Sequence, residues 1–340
     1  MVVLNKLEKK KKLKDTEYLF ISAYLRAREG KLLTAARMER MIDAPSPGEA
    51  AKVLQEISYG EFSPTSDREL GAALAREREK LFEDLYRYVP DKAVVDVFKV
   101  KYDYHNLKVL LKARALGMDG KRLLVDAGRV ETERMEKCVS EGTYDQLPTA
   151  LGQAAEEAGE VLSTTGDPQR SDFALDRAYF REMLEAAQSS GSQLLTGYVR
   201  ATIDSANLRS AVRTLRMKKS GDFLRQVLFE GGAVGTDSIL AAALNGNLEA
   251  PFRGTELRAA AELGAEAAKG GNLTAFEKAC DDAVTDYAAR AKHVPFGEET
   301  VIGYLVAKEI EFTAVRVIMS GKMAGIDGGT IRERLREAYV

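Results

Sequence analysis

The 340-residue chain has no tryptophan, two histidines, two cysteines and eight prolines. Each shortage narrows its chemistry. Cys138 and Cys280 lie far apart without a CxxC partner, so neither a disulfide framework nor a zinc site is expected and a reducing cytoplasm fits. His105 and His293 cannot build a histidine-rich metal centre, and HExxH does not occur. A surplus of either charge is missing too, because 50 basic face 52 acidic residues. No global positive field therefore exists to hold a nucleic acid or an anionic membrane. No run approaches the roughly 18 apolar residues of a membrane span, and the N-terminus lacks a signal-peptide apolar core. The chain is expected to be soluble or peripheral to a membrane. The basic cluster Lys9 to Lys12, within an extension over residues 1–14, reads as a solvated terminus with acidic lipid headgroups as the alternative contact.

What is present favours helix. Ala, Leu, Glu, Arg and Lys are frequent, 45% of the residues are hydrophobic and 30% charged, and the length suits several domains or an array of repeats. The expected fold class is all-α. "YDYHNLKVLLKARALGMDG" (Tyr102 to Gly120) returns as "IDSANLRSAVRTLRMKKSG" (Ile203 to Gly221) about a hundred residues later. Asp103 falls on Asp204, Asn106 on Asn207, Leu107 on Leu208 and Lys108 on Arg209. The apolar positions keep the i, i+3, i+4 spacing of one helical face, with Gly120 and Gly221 as expected stops. The next segments also match, Gly128 with Gly232 and Val130 with Val234. A third copy occurs near the C-terminus, where Glu311, Val315 and Arg316 stand over Asp103, Leu107 and Lys108, while Ala314 replaces the asparagine. Three modules are expected, over 15–122, 123–223 and 224–340. Leucines at the markers read as a packing seam, and the acids suit a helix start. The basic position Lys108, Arg209, Arg316 is the candidate partner surface.

Elsewhere, the segment from Ala23 reads as one long amphipathic helix, a "DAPSPG" turn and a second helix from near Gly48. Ser163 to Phe173 and Leu244 to Glu256 read as loops. GxxxxGK[ST] is absent, and "EGGAVGTD" at Glu230 to Asp237 reads as a turn. "CDDAVTD" is similar to the DDxxD of helical prenyl-diphosphate enzymes, which would make Asp281, Asp282 and Asp286 magnesium ligands, but Thr285 takes the place of the third acid. An exposed acidic face is the simpler reading. No catalytic constellation emerges, and an interaction protein without cofactor or small-molecule substrate is expected.

"YLFISAYLRAREGKLL", "LQEISYGEF", "YDYHNLKVLLKARALG" and "GYLVAKEIEFTAVRVIMSGKMAGI", in that order, resemble the blocks of the C subunit of V/A-type rotary ATPases, a relative of the d subunit of eukaryotic V-ATPases. The resemblance runs from about Thr16 to Tyr339. It implies a funnel of three helical modules around a pseudo-threefold axis, without enzyme activity. It also implies a place on the cytoplasmic face of the membrane, between the central stalk and the proteolipid ring, where torque is passed between ion flow and ATP turnover. A magnesium-dependent diphosphate enzyme and a generic helical scaffold are the alternatives.

Overall fold

The computed structural model describes residues 13–57 and 59–339; the Lys9 to Lys12 cluster lies outside them. Among the described residues the chain is all-helical, with no strand. In order come α1 (Leu19–Glu29), α2 (Ala35–Asp43), α3 (Pro47–Gln55), α4 (Asp67–Tyr88) and α5 (Ala93–Leu116). These are followed by α6 (Thr132–Glu141), α7 (Thr149–Thr165), α8 (Pro168–Ser190), α9 (Gln193–Arg216) and α10 (Gly221–Val227). The last are α11 (Thr236–Leu244), α12 (Arg258–Ala268), α13 (Leu273–Ala289), α14 (Glu298–Met323) and α15 (Gly328–Arg334). The three copies of the repeated phrase form the C-terminal halves of α5, α9 and α14.

Side-chain caps explain many of the helix starts. Ser46, Ser66, Ser192, Ser220, Asn272 and Asp327 each accept a backbone N–H of the first turn, which would otherwise have no partner. The long helix expected from Ala23 is two helices. It stops at Glu29, and Thr34 caps the restart, accepting from the Arg37 amide at 3.3 Å. The interruption expected over Ser163 to Phe173 shrinks to Gly166 and Asp167. Gly166 closes α7 in a left-handed conformation, while Asp167 caps α8 with Pro168 in its first turn. Of the loop expected over Leu244 to Glu256, Leu244 ends α11 and the rest is irregular except for one 3-10 turn, Ala250–Phe252.

The repeat's helix stop lies three residues before Gly120 and Gly221. Gly117, Lys218 and Gly325 occupy equivalent positions with φ of 63°, 54° and 69°. Behind each, the same bond closes the last turn: Met118 donates to the Ala113 carbonyl, Lys219 to Thr214 and Ile326 to Gly321, at 2.9, 3.0 and 2.9 Å. One backbone design thus ends all three copies, and in the middle copy a lysine adopts it.

Each long helix packs against the long helix at the end of its own group: α5 on α8, α9 on α13 and α14 on α4. These partners align as well. Leu70, Leu175 and Cys280 share one buried position, and Ala73, Ala178 and Ala283 another, the small residue allowing close approach. Three apolar cores result. One gathers Val100 to Ala178, a second Leu208 to Ala283, and the third joins α1 to α4 with α14, α15 and the start of α5 and α9. Both α5 and α9 therefore begin in one core and finish in the next.

Candidate partner-binding site

The acids of the repeat are buried and act as backbone anchors. Asp103 accepts the amides of Arg129 and Val130 at 2.8 and 3.1 Å, and Asp204 those of Ala233 and Val234 at 2.9 and 3.2 Å. Gly128 and Gly232 pass so near that an added Cβ would lie 2.3 and 2.0 Å from the carboxylates. Asn106 and Asn207 each make a two-bond clasp, the first on the backbone of Val125 and the second on that of Phe229. In the third copy Glu311 accepts the Leu33 amide at 2.8 Å and the Tyr59 hydroxyl at 2.7 Å. The anchored segment there comes from the other end of the chain, so Thr34 and α2 stand where Glu131 and α6, or Gly235 and α11, stand in the other copies. Leu107, Leu208 and Val315 are fully buried behind these anchors.

The three anchors are neutralised differently. Arg129 donates to Asp103 and Glu182, and Lys308 to Glu311. Among the described residues no cation pairs directly with Asp204, and burial pushes its carboxyl up to about 6 although two amides and the more distant charge of Arg200 oppose the shift.

A cavity of about 370 Å³ opens where α5, α8, α9, α13 and α14 meet. Lys101, Thr202 and Glu309, at equivalent repeat positions, all line it, as do Ala206 and Thr313. Lys101 pairs with Glu309 at 2.6 Å, and Tyr102 donates to the same carboxylate at 2.7 Å. Burial pushes Glu309 up, but Lys101 and Arg78 outweigh it and hold the group below the usual carboxylate range. Sequence reasoning missed this ring, because each position carries a different residue type.

Of the candidate basic residues, Arg209 lies in the cavity wall, where Asp281 binds both it and Arg336 of the C-terminal tail. Lys108 is paired with Asp176 of α8 at 2.5 Å, and Arg316 is exposed on α14 facing α4. They are not brought together into one cluster by any shared partner. Apolar side chains stand exposed at the ends of α5 and α9, with Leu116 and Met217 at equivalent positions.

Two of the three suspected magnesium ligands are otherwise occupied: Asp281 holds two guanidinium groups and Asp282 accepts the Glu337 amide at 3.0 Å. Among the described residues no group of three or more acidic, histidine or cysteine side chains is arranged to hold a metal ion, and no helix is long and apolar enough to cross a membrane. His105 is exposed beside the Leu123 carbonyl, and both cysteines are buried and free.

The family model described as ATP synthase (C/AC39) subunit matches residues 21–334. The C subunit of the V-type sodium ATPase of Enterococcus hirae is 25% identical, over 95% of this chain and 99% of the relative. The C subunit of the A-type ATP synthase of Methanocaldococcus jannaschii is 26% identical, over 94% and 86%, and that of the V-type ATP synthase of Thermus thermophilus 24%, over 94% and 98%. With the family model matched along nearly the whole length, the chain belongs to the ATP synthase (C/AC39) subunit family.

Proposed function

We propose that this chain is a non-catalytic rotor subunit of a V/A-type ATPase, a socket that joins the central stalk to the membrane proteolipid ring on its cytoplasmic face. The observation that carries the reading is the cavity lined by Lys101, Thr202 and Glu309, one equivalent residue from each copy of the repeat. Helices related by a repeat that turn the same position toward one space are what an arrangement about a pseudo-threefold axis requires. The packed groups serve as its three modules, one built on the core from Val100 to Ala178, one on that from Leu208 to Ala283, and one joining α1 to α4 with α14 and α15, so that the divisions expected at 122 and 223 fall inside the first two cores and the expected module 15–122 is split. Torque transmission suits such a body, since close-packed cores are poorly compressible.

Reconstitution tests it: a V/A-type complex lacking this chain should regain ATPase activity coupled to ion transport when the chain is added back, and should retain it through purification. A chain that stays monomeric beside stalk and ring subunits would sink the proposal. Magnesium-dependent diphosphate chemistry would need Asp281 and Asp282 free of their present partners; Asp282→Ala abolishing a diphosphate-consuming activity would be the result in its favour.

A further inference from the structure

In the first two copies the basic position of the repeat meets the same place on the packed partner helix. Lys108 pairs with Asp176 on α8, and Arg209 with Asp281 on α13. One turn away, Lys112 pairs with Asp172 and Arg213 with Glu277, each at 2.6 Å, and in the third copy Ser320 donates to Asp67 on α4 at the same distance. This register puts Gly71 where Asp176 and Asp281 stand. Arg316 therefore faces a glycine where its two counterparts face a carboxylate, and among the described residues it has no ion pair.

The surroundings do not make up the loss. Asp67 attracts Arg316 but is held by Ser320. Desolvation and the neighbouring Arg78 both work against the Arg316 charge. Arg78 itself lies over the Phe312 ring at 4.7 Å, its Nε buried without a hydrogen-bond partner, while the nearby Glu309 is engaged by Lys101. Among the described residues the two guanidinium groups thus stand together without a direct ion pair, sharing Asp67 with Ser320 and Glu309 with Lys101. The place of the missing side chain is open, since a Cβ on Gly71 would meet nothing within 4 Å.

Resting on the rotor-subunit reading, we infer that Arg316, backed by Arg78, receives an Asp or Glu side chain of another protein subunit of the complex, which completes in trans the ion pair that Asp176 and Asp281 complete in cis. A carboxylate fits better than a phosphate surface. The other copies fill this position with an aspartate from a helix alongside, and the formal net charge of -2 provides no field for an anionic membrane or nucleic acid.

The test is binding of the full-length chain to the complex depleted of it. Gly71→Asp, which supplies the carboxylate internally, and Arg316→Glu should each weaken binding about 5- to 30-fold, while the isosteric Gly71→Asn should stay within about twofold. Melting temperatures near that of the unaltered chain establish that the variants fold. In Arg316→Lys, carbodiimide coupling should link the new amine to an acidic residue of another subunit, identified by mass spectrometry. Normal binding by Gly71→Asp or Arg316→Glu overturns the inference, as does equal loss in Gly71→Asn, or coupling to Asp67 alone. Release by inorganic phosphate at constant ionic strength would mark the ligand as a phosphate and overturn it too. If the unaltered chain does not bind at all, it is the rotor-subunit reading that fails.

Discussion

Lys218 holds a left-handed backbone that costs an L-residue about 1–2 kcal/mol, where its two counterparts are glycine. Lys218→Gly should therefore stabilise the chain by about 1 kcal/mol, read as a higher urea midpoint at unchanged slope. The opposite holds at Gly232, whose Cβ would lie inside the contact distance of the Asp204 carboxylate. Gly232→Ala should cost about 2–4 kcal/mol by pushing the anchor off its two amides. Asp204 also makes stability depend on pH. Its folded carboxyl titrates at about 6, above the ordinary 3.8, so the folded state binds the proton more tightly. Stability from this group is fully present below about pH 4 and is lost as pH rises through about 6, by on the order of 2 kcal/mol. In Asp204→Asn that loss between pH 4 and 7 should disappear from the melting profile; an unchanged profile would assign the dependence to other groups.

Among the elements, the clasp made by Asn207 on Phe229 is the clearest test of what the repeat marker does. Asn207→Ala leaves a buried N–H and a buried carbonyl unpaired and should cost about 2–4 kcal/mol, whereas Asn106→Ala, whose Val125 partner is only half-buried, should cost less. Helix class and the seam of Leu107, Leu208 and Val315 were legible from periodicity alone, because apolar burial writes itself at a fixed spacing. The polar roles were not. Asp103 reads as a helix-start acid but sits in mid-helix, bound to a loop that arrives 26 and 27 residues later. The join between α2 and the third copy was hidden by chain order. Arg37-Met38-Glu39-Arg40 does match Arg134-Met135-Glu136-Lys137 on α6, yet it precedes the long helix it serves instead of following it. The cavity position was silent because Lys101, Thr202 and Glu309 share no chemistry, and the pairing of Lys108 and Arg209 depends on partner helices at other spacings.

For the molecule as a whole, Glu311 is the fastening between the two ends of the chain. It binds Leu33, Tyr59 and Lys308, and about three turns away along α14 Ser22 meets Thr300 at 2.8 Å across 278 residues of sequence. Removing the carboxylate in Glu311→Ala leaves the buried Lys308 charge without its partner, and a loss of about 3–5 kcal/mol is expected. Hydrogen exchange should place the damage: the Leu33 and Tyr59 amides should exchange faster together with α14, while the core from Leu208 to Ala283 keeps its protection. Uniform loss of protection would mean that the three cores unfold as one.

The same fastening sets an order of events during synthesis. The cores formed by Val100 to Ala178 and by Leu208 to Ala283 are made of neighbouring sequence and can close as each stretch leaves the ribosome. Helices α1 to α3 cannot, because their counterpart α14 is made more than 240 residues after them. At ribosomal speeds of about 5–20 residues per second, the apolar faces of α1 to α3 wait roughly tens of seconds for it. Helices α1 to α3 are thus made before the other two cores yet buried after them, and their apolar faces are what a nascent-chain chaperone would have to shield.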